Sequence, residues 1–486
     1  MPNTQLILPC STPGAVSLPS RHRRGPLARL FGKRPFLDIA TGRPLASWVQ
    51  ENREQAHPGK RGLAARGGFP CMIERITILG GSSVYIPELI LSIIARNVNV
   101  KEIVLLGQEG RKLQLVAGFC QRLLNKSGFP AQIIASTDVR QSVAGAKYVL
   151  NHIRVGGMQA RMRDEMLPPK FNMIGDENLG AGGFSNGLRT LPVIFDIAKQ
   201  IEEVNPDATF INLTNPMSIV VEGLMKYTRL KVVGVSDLPG VYMRKIASVL
   251  QENVENLHFD YVGLNHLGWI QDVKLDRRSC MSRLLEILEA HTEDGFDYEL
   301  IDLFRMIPTR QTGMYFHRAE VLKKQKACSR FRAEILHEAE QRILKLYEDQ
   351  HLYEVPDLTR QRNAVWYEET ILPLIEALED SRPRSVVLCV RNEGCIRDLP
   401  EDSSVEVPAL VSQSGIEPQK VGSLPRFLRG VFLGTKESDR LTVEAVRHRS
   451  WEYALQALTI NPFVPSLETA RKYLERVVKD EHIELH

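Results

Sequence analysis

The chain has 486 residues, 43% hydrophobic and 25% charged, which is ordinary for a water-exposed globular protein but too long for one ordinary core. No apolar run approaches the roughly 20 residues that span a bilayer, so a membrane protein is excluded as an expectation. The formal charge of +4 is uneven: residues 1–71 hold eleven basic and three acidic side chains, leaving a mildly acidic remainder that argues against nucleic acid as main partner.

Residues 1–71 are rich in Arg, Pro and Gly and lack a sustained amphipathic period. They read as a disordered extension, with an Arg-rich transit peptide as the alternative. Met72 stands just before the first strand signal, as an initiator would. Ile76–Leu79 is an apolar run stopped by Gly80-Gly81, and Pro87 sits where a first helical turn would begin. Strands are predicted at 103–106, 132–135, 148–150, 209–213 and 231–235. Helices are predicted up to about residue 124, near 189–203 and after Pro216. Alternation of this kind predicts a mostly parallel, doubly wound, Rossmann-like α/β sheet. Beyond about residue 260 the pattern becomes helix-rich, with helices predicted at 334–349 and 364–379 and a β-rich insert near 385–411. The seven scattered cysteines, with no Cys-x-x-Cys pair, read as reduced thiols of a cytoplasmic protein.

Gly80, Gly81, Ser82 and Ser83 lie between a strand and a helix, where glycines admit a pyrophosphate and the helix N-terminus favours an anion. A plain tight turn explains the same residues. The acid expected at the end of the second strand is displaced: Gly107 stands there and Glu109 follows two residues on. Glu109 either holds a ribose hydroxyl or is a solvated acid at a helix start. Further along come Arg154-Val-Gly-Gly157, Arg161, Asp164-Glu165, Asp176-Glu177 and Gly180-Ala-Gly-Gly183. Glycine-rich loops carrying arginines are costly to order unless they hold an anion. Asn215-Pro216 directly after a strand aims an amide into the crevice.

These segments, in order with Gly263-Leu-Asn-His266, Arg332-Ala-Glu334, Val405-Glu-Val-Pro408 and Asn461-Pro462, resemble glycoside hydrolase family 4 from about Met72 to Ser466. That family is an exception to two-carboxylate glycoside hydrolysis, being NAD-dependent. The resemblance implies a 6-phospho-glycosidase (6-phospho-β-glucosidase or 6-phospho-α-glucosidase) that uses NAD and a divalent metal, usually Mn2+. Its fold is of the lactate/malate dehydrogenase kind, with an NAD-binding domain over 72–260. A helix-rich α+β domain for substrate, metal and oligomerisation follows over 261–486. The implied reaction oxidises sugar C3, eliminates the aglycone, adds water and returns the hydride. Residue by residue, it implies Ser236 and His266 as metal ligands and Asp237 as proton donor. Tyr315 falls at the tyrosine base and Glu177 at the acid that supports that base. Arg161, Asn215 and Arg332 fall at substrate-binding positions, and Gly80, Gly81, Ser82, Ser83 and Glu109 at the NAD site. The expected partner is a phosphorylated disaccharide or glycoside, and the expected assembly a homodimer or homotetramer.

The chain departs from the pattern at Ser236, where the family has a cysteine. A thiolate binds the ion as an anion, whereas a hydroxyl stays neutral near pH 7 and coordinates weakly. Two functional readings follow: an active glycosidase with a weakened metal site, and a degenerate member that binds NAD or a sugar phosphate as sensor or partner subunit.

Overall fold

The computed structural model describes residues 72–108, 110–290, 295–362 and 367–486. The extension 1–71 and Glu109 lie outside the described residues.

Six strands form the parallel half: β1 (Ile73–Leu79), β2 (Val100–Leu106), β3 (Gln132–Ser136), β4 (Tyr148–Asn151), β5 (Thr209–Asn212) and β6 (Lys231–Gly234). Their sheet order is β6-β5-β4-β1-β2-β3, the doubly wound order in which ligands sit beyond the carboxyl ends. The carboxyl half of a strand such as Ile73–Leu79 is buried at every residue from Ile76 to Leu79 rather than at alternate ones, as in a sheet covered on both faces. Registers Leu79↔Leu106, Leu79↔Asn151, Asn151↔Asn212 and Asn212↔Gly234 bring the carboxyl ends into one row. Side chains continue that row, with Asn151 Nδ2 donating to Asn212 Oδ1 at 2.8 Å.

The rest of the sheet is antiparallel: β7 (Leu257–Leu264), β8 (Leu267–Leu275), β9 (Arg278–Ser279), β10 (Ile307–Pro308), β11 (Arg384–Arg391), β12 (Ser404–Ser412) and β13 (Gly415–Pro418). β11 and β12 are the β-rich segment expected near 385–411, but they join the main sheet. They stand between β6 and β7 in the order β10-β8-β7-β12-β11-β6. The pairs Gly234↔Cys389, Cys389↔Glu406 and Glu406↔Gly263 carry one transverse row from the parallel half to the antiparallel half. One hydrophobic cluster follows the same path, uniting Ile76 and Ile103 with Leu388, Val407 and Phe432.

The predicted helix at 334–349 is Arg332–Tyr347, and that at 364–379 is described as a π turn, Tyr367–Ile371, running into Leu372–Glu379. Cys120, Cys280, Cys389 and Cys395 are free thiols as expected, whereas Cys328 is disulfide-bonded and departs from that reading. Among the described residues, no helix is long and apolar enough to cross a membrane.

Candidate active site

The carboxyl edge of β4, β5 and β6 opens on a cavity of about 180 Å³. Arg154 follows β4, and the helix Gly157–Met166 adds Arg161 and Glu165. Asn215 follows β5, and Ser236 and Asp237 follow β6. The β7–β8 turn brings His266 from the antiparallel half. The helices Arg310–Phe316 and Arg332–Tyr347 supply Arg310, Gln311, Met314 and Arg332. Seven expected residues therefore share one cavity: Arg161, Glu177, Asn215, Ser236, Asp237, His266 and Arg332.

Glu177 is its electrostatic centre. It pairs with Arg154, lies 3.1 Å from Arg161 Nη1 and accepts from Asn215 Nδ2 at 3.4 Å. Burial pushes its carboxyl up, but Arg154 and Arg161 outweigh that and hold it well below the usual carboxylate range. Arg161 is also bound by Glu165 at 2.8 Å, so two carboxylates occupy its guanidinium. Arg310 and Arg332 have no carboxylate partner among the described residues. Burial, Arg161 and Arg310 together lower the pKa of Arg332, marking a site short of negative charge. Asn186 Nδ2 ties the two loops by donating to Glu177 O at 3.0 Å and Asn215 O at 3.1 Å.

The glycines at 180–183 are not an anion-holding loop, as their sequence suggested. They are the first turn of the long helix Gly180–Val204, and the segment leading into it is held by Asp176 Oδ1, which accepts from Asn178 N and Leu179 N at 2.8 and 3.0 Å. Their use is close packing: a Cβ on Gly182 would lie 2.3 Å from Asp176 O and 2.4 Å from Asp164 O.

Ser236 is 8% exposed, and its Oγ accepts from Leu238 N at 3.4 Å. Asp237 makes no capping bond with its side chain. His266 Nδ1 is buried with no hydrogen-bond partner among the described residues. Burial lowers the His266 pKa, while Asp176, Asp237 and Glu177 draw it upward. No cluster of three or more His, Cys, Asp or Glu among the described residues is arranged to hold a metal alone. One imidazole and one hydroxyl, His266 and Ser236, are a sparse donor set that suits a divalent ion only when substrate oxygens complete its shell.

Tyr315 does not line the cavity, which corrects the placement expected from the sequence. Arg310, Gln311 and Met314 are the residues of their helix that line the cavity, and Tyr315, one turn after Gln311, is not among them. Its ring packs against Phe316 and Phe463, at centroid distances of 5.1 and 5.7 Å, with Arg318 4.9 Å from its centroid. No tyrosine is among the described residues that line the cavity. The sequence reading missed Gln311, which is 6% exposed with an unpartnered Oε1, and Arg310. A polar pair one turn after Ile307-Pro308 was the available signal.

The turn at Gly80, Gly81, Ser82 and Ser83 lies on the same edge, between β1 and the helix Ile86–Ala95. Gly80 has φ +88, and a Cβ there would lie 2.5 Å from His152 O, so the turn passes directly against the end of β4. Ser82 Oγ would lie 2.3 Å from a Cβ on Gly107, so the end of β2 faces the turn without a side chain of its own. A glycine turn at a helix N-terminus fits a dinucleotide pyrophosphate.

The family model described as "Family 4 glycosyl hydrolase" matches residues 75–252, and that of its C-terminal domain matches 261–464. A "Probable 6-phospho-beta-glucosidase" of Bacillus subtilis (strain 168) is 34% identical over 424 residues, covering 83% of this chain and 96% of the relative. The solved 6-phospho-beta glucosidase of Thermotoga maritima, with NAD and glucose-6-phosphate, aligns at TM-score 0.79 and 28% identity, covering 85% of this chain and 100% of its own. A 6-phospho-alpha-glucosidase from gut microorganisms, in complex with NAD and glucose-6-phosphate, aligns at TM-score 0.76 and 26% identity, covering 86% and 100%. Two family models that together match well over half of the sequence, and a relative of this identity across nearly its whole length, establish that the chain belongs to family 4 of the glycosyl hydrolases.

Proposed function

We propose that the protein hydrolyses a 6-phosphorylated glycoside with NAD and a divalent metal, Mn2+ first, as cofactors. The observation that carries this is the single cavity at the carboxyl edge, lined by Arg161, Glu177, Asn215, Ser236, Asp237, His266 and Arg332. Bound NAD supplies hydride abstraction and return at sugar C3, and the metal supplies polarisation of the neighbouring sugar oxygens.

The chain's own residues bind and orient the sugar and supply the proton that the departing oxygen takes up. Asn215 presents an amide to sugar hydroxyls. Asp237, free of any capping bond, gives a proton to the departing glycosidic oxygen. Arg310 and Arg332, without carboxylate partners among the described residues, match the two charges of a phosphate monoester, and guanidinium forks suit its geometry. Glu177 stays anionic between Arg154 and Arg161 and fixes both. His266, with the Ser236 hydroxyl, would hold the metal. The turn at Gly80, Gly81, Ser82 and Ser83 would take the NAD pyrophosphate. In this reading residues 72–260 bind NAD, and 261–486 complete the substrate and metal site and carry the contacts of a homodimer or homotetramer. The protein works in the cytoplasm, where 6-phosphorylated sugars are held.

The test is turnover of p-nitrophenyl α- and β-glucoside 6-phosphates with NAD, Mn2+ and a reductant. Turnover requiring NAD and the phosphate, on one anomer, supports the reading and assigns the linkage. NAD binding with no turnover of either anomer replaces it with the sensor.

A further inference from the structure

Glu406 does not line the cavity, yet it is 2% exposed at the centre of the sheet. Removing a carboxylate from water there is costly unless bonds compensate it. Two bonds offset part of that cost: Tyr261 Oη donates to Oε2 at 2.5 Å, and Asn265 Nδ2 donates to Oε1 at 3.1 Å. Both donors belong to the β7–β8 hairpin, in which Leu264 pairs with Leu267 and the two turn residues are Asn265 and His266.

The hairpin is shaped around these bonds. A Cβ on Gly268 would stand 1.9 Å from Tyr261 Oη, and one on Gly263 would stand 3.0 Å from it. The two glycines therefore keep open the lane along which the phenol reaches Glu406. On its other side the hairpin is pinned by Gly268 N, which donates to Thr312 Oγ1 at 3.1 Å. His266 has φ +64, a left-handed backbone that residues other than glycine enter at a cost. Such a conformation persists where its surroundings over-determine it. The Asn265 side chain, one residue away, is the part of the turn anchored to the sheet below.

We propose that Glu406 is a positioning residue for the reaction: through Asn265 it holds the β7–β8 turn in the conformation that presents His266 to the cavity. Tyr261 fixes the carboxylate in turn. The inference rests on the cavity being the reacting centre proposed above.

Asn265→Ala and Glu406→Leu are each expected to lower kcat on the 6-phosphoglucoside about tenfold or more, with NAD affinity unchanged and KM moving by less than about threefold. The double variant is no slower than the slower single one, because both act through one bond. Glu406→Gln, which keeps an acceptor of the same shape, recovers most of kcat. Unchanged kcat in Asn265→Ala, or additive losses in the double variant, overturn the role. If Glu406→Leu does not fold, Tyr261→Phe takes its place in the cycle with the same expectations. The imidazole NMR signal of His266, assigned with His266→Gln, gives a readout without turnover. It shifts in Asn265→Ala if the role is right, and an unmoved signal overturns it. A shifted signal in a protein that hydrolyses neither anomer sustains the positioning role and overturns the glycosidase reading alone.

Discussion

Arg161 Nη1 lies 3.1 Å from Glu177 Oε1, inside a cavity where Arg154 claims the other oxygen of the same carboxylate. One negative charge thereby organises two buried or half-buried guanidinium groups. Glu177→Gln keeps the shape and removes the charge, so it should lower kcat/KM by about one to two orders of magnitude. Steady-state kinetics on the preferred anomer check this.

The same group sets a pH signature. Burial raises the Glu177 carboxyl, but its two arginines hold it well below the usual range. A folded pKa below the unfolded one contributes stability that is present above the unfolded value, about 4.3, and is lost as pH falls through the folded value. The stability gap between wild type and Glu177→Gln should therefore be flat at neutral pH and shrink only below about pH 4. Calorimetric scans over that range measure it, and a gap that closes near pH 6 contradicts the assignment.

Ser236→Cys restores an anionic donor beside His266 and Asp237. Its Mn2+ affinity should rise on the order of tenfold to a hundredfold, read by isothermal titration. An unchanged affinity would place the ion elsewhere.

Tyr315→Phe should leave kcat/KM within about threefold, since its ring packs against Phe316 and Phe463 outside the cavity. Gln311→Ala removes a cavity-lining amide and should raise KM about tenfold on the same substrate. A large loss in kcat from Tyr315→Phe would mean that the phenol enters the cavity during turnover.

Gly175→Ala tests the loop that carries Asp176 and Glu177. A Cβ there would lie 1.8 Å from Glu165 O, a backbone atom that cannot rotate aside. The substitution should cost about 2–4 kcal/mol, seen as a lower unfolding midpoint in denaturant.

The parallel half of the fold was legible because its strands end in contiguous buried residues, such as Ile76 to Leu79 in Ile73–Leu79 and Val233 and Gly234 in Lys231–Gly234. The hairpin of β7 and β8 was not. Its pairing with β12 joins Gly263 to Glu406, residues far apart in sequence with no local signature of their contact. At the site, residues that end strands were placed well, because a strand end has one direction to face. Asn215, Ser236 and Asp237 are of this kind. Tyr315 was expected in the cavity, but its ring packs on Phe316 and on Phe463, a residue far along the chain whose contact residue order does not show. The glycines at 180–183 were misread for a related reason, since close approach of backbone to backbone leaves the same sequence mark as a phosphate cradle.

The position of β11 and β12 between β6 and β7 also sets an order of events during synthesis. Ser236 and His266 are separated in sequence by thirty positions, yet two strands from much later in the chain stand between the strands that carry them. An emerging polypeptide whose exposed part ends before Arg384 can complete its parallel strands, but it has nothing to bridge Gly234 to Gly263. Nascent chains whose exposed part ends before Arg384 or beyond Ser412 should therefore differ in the site and not in the parallel half of the sheet.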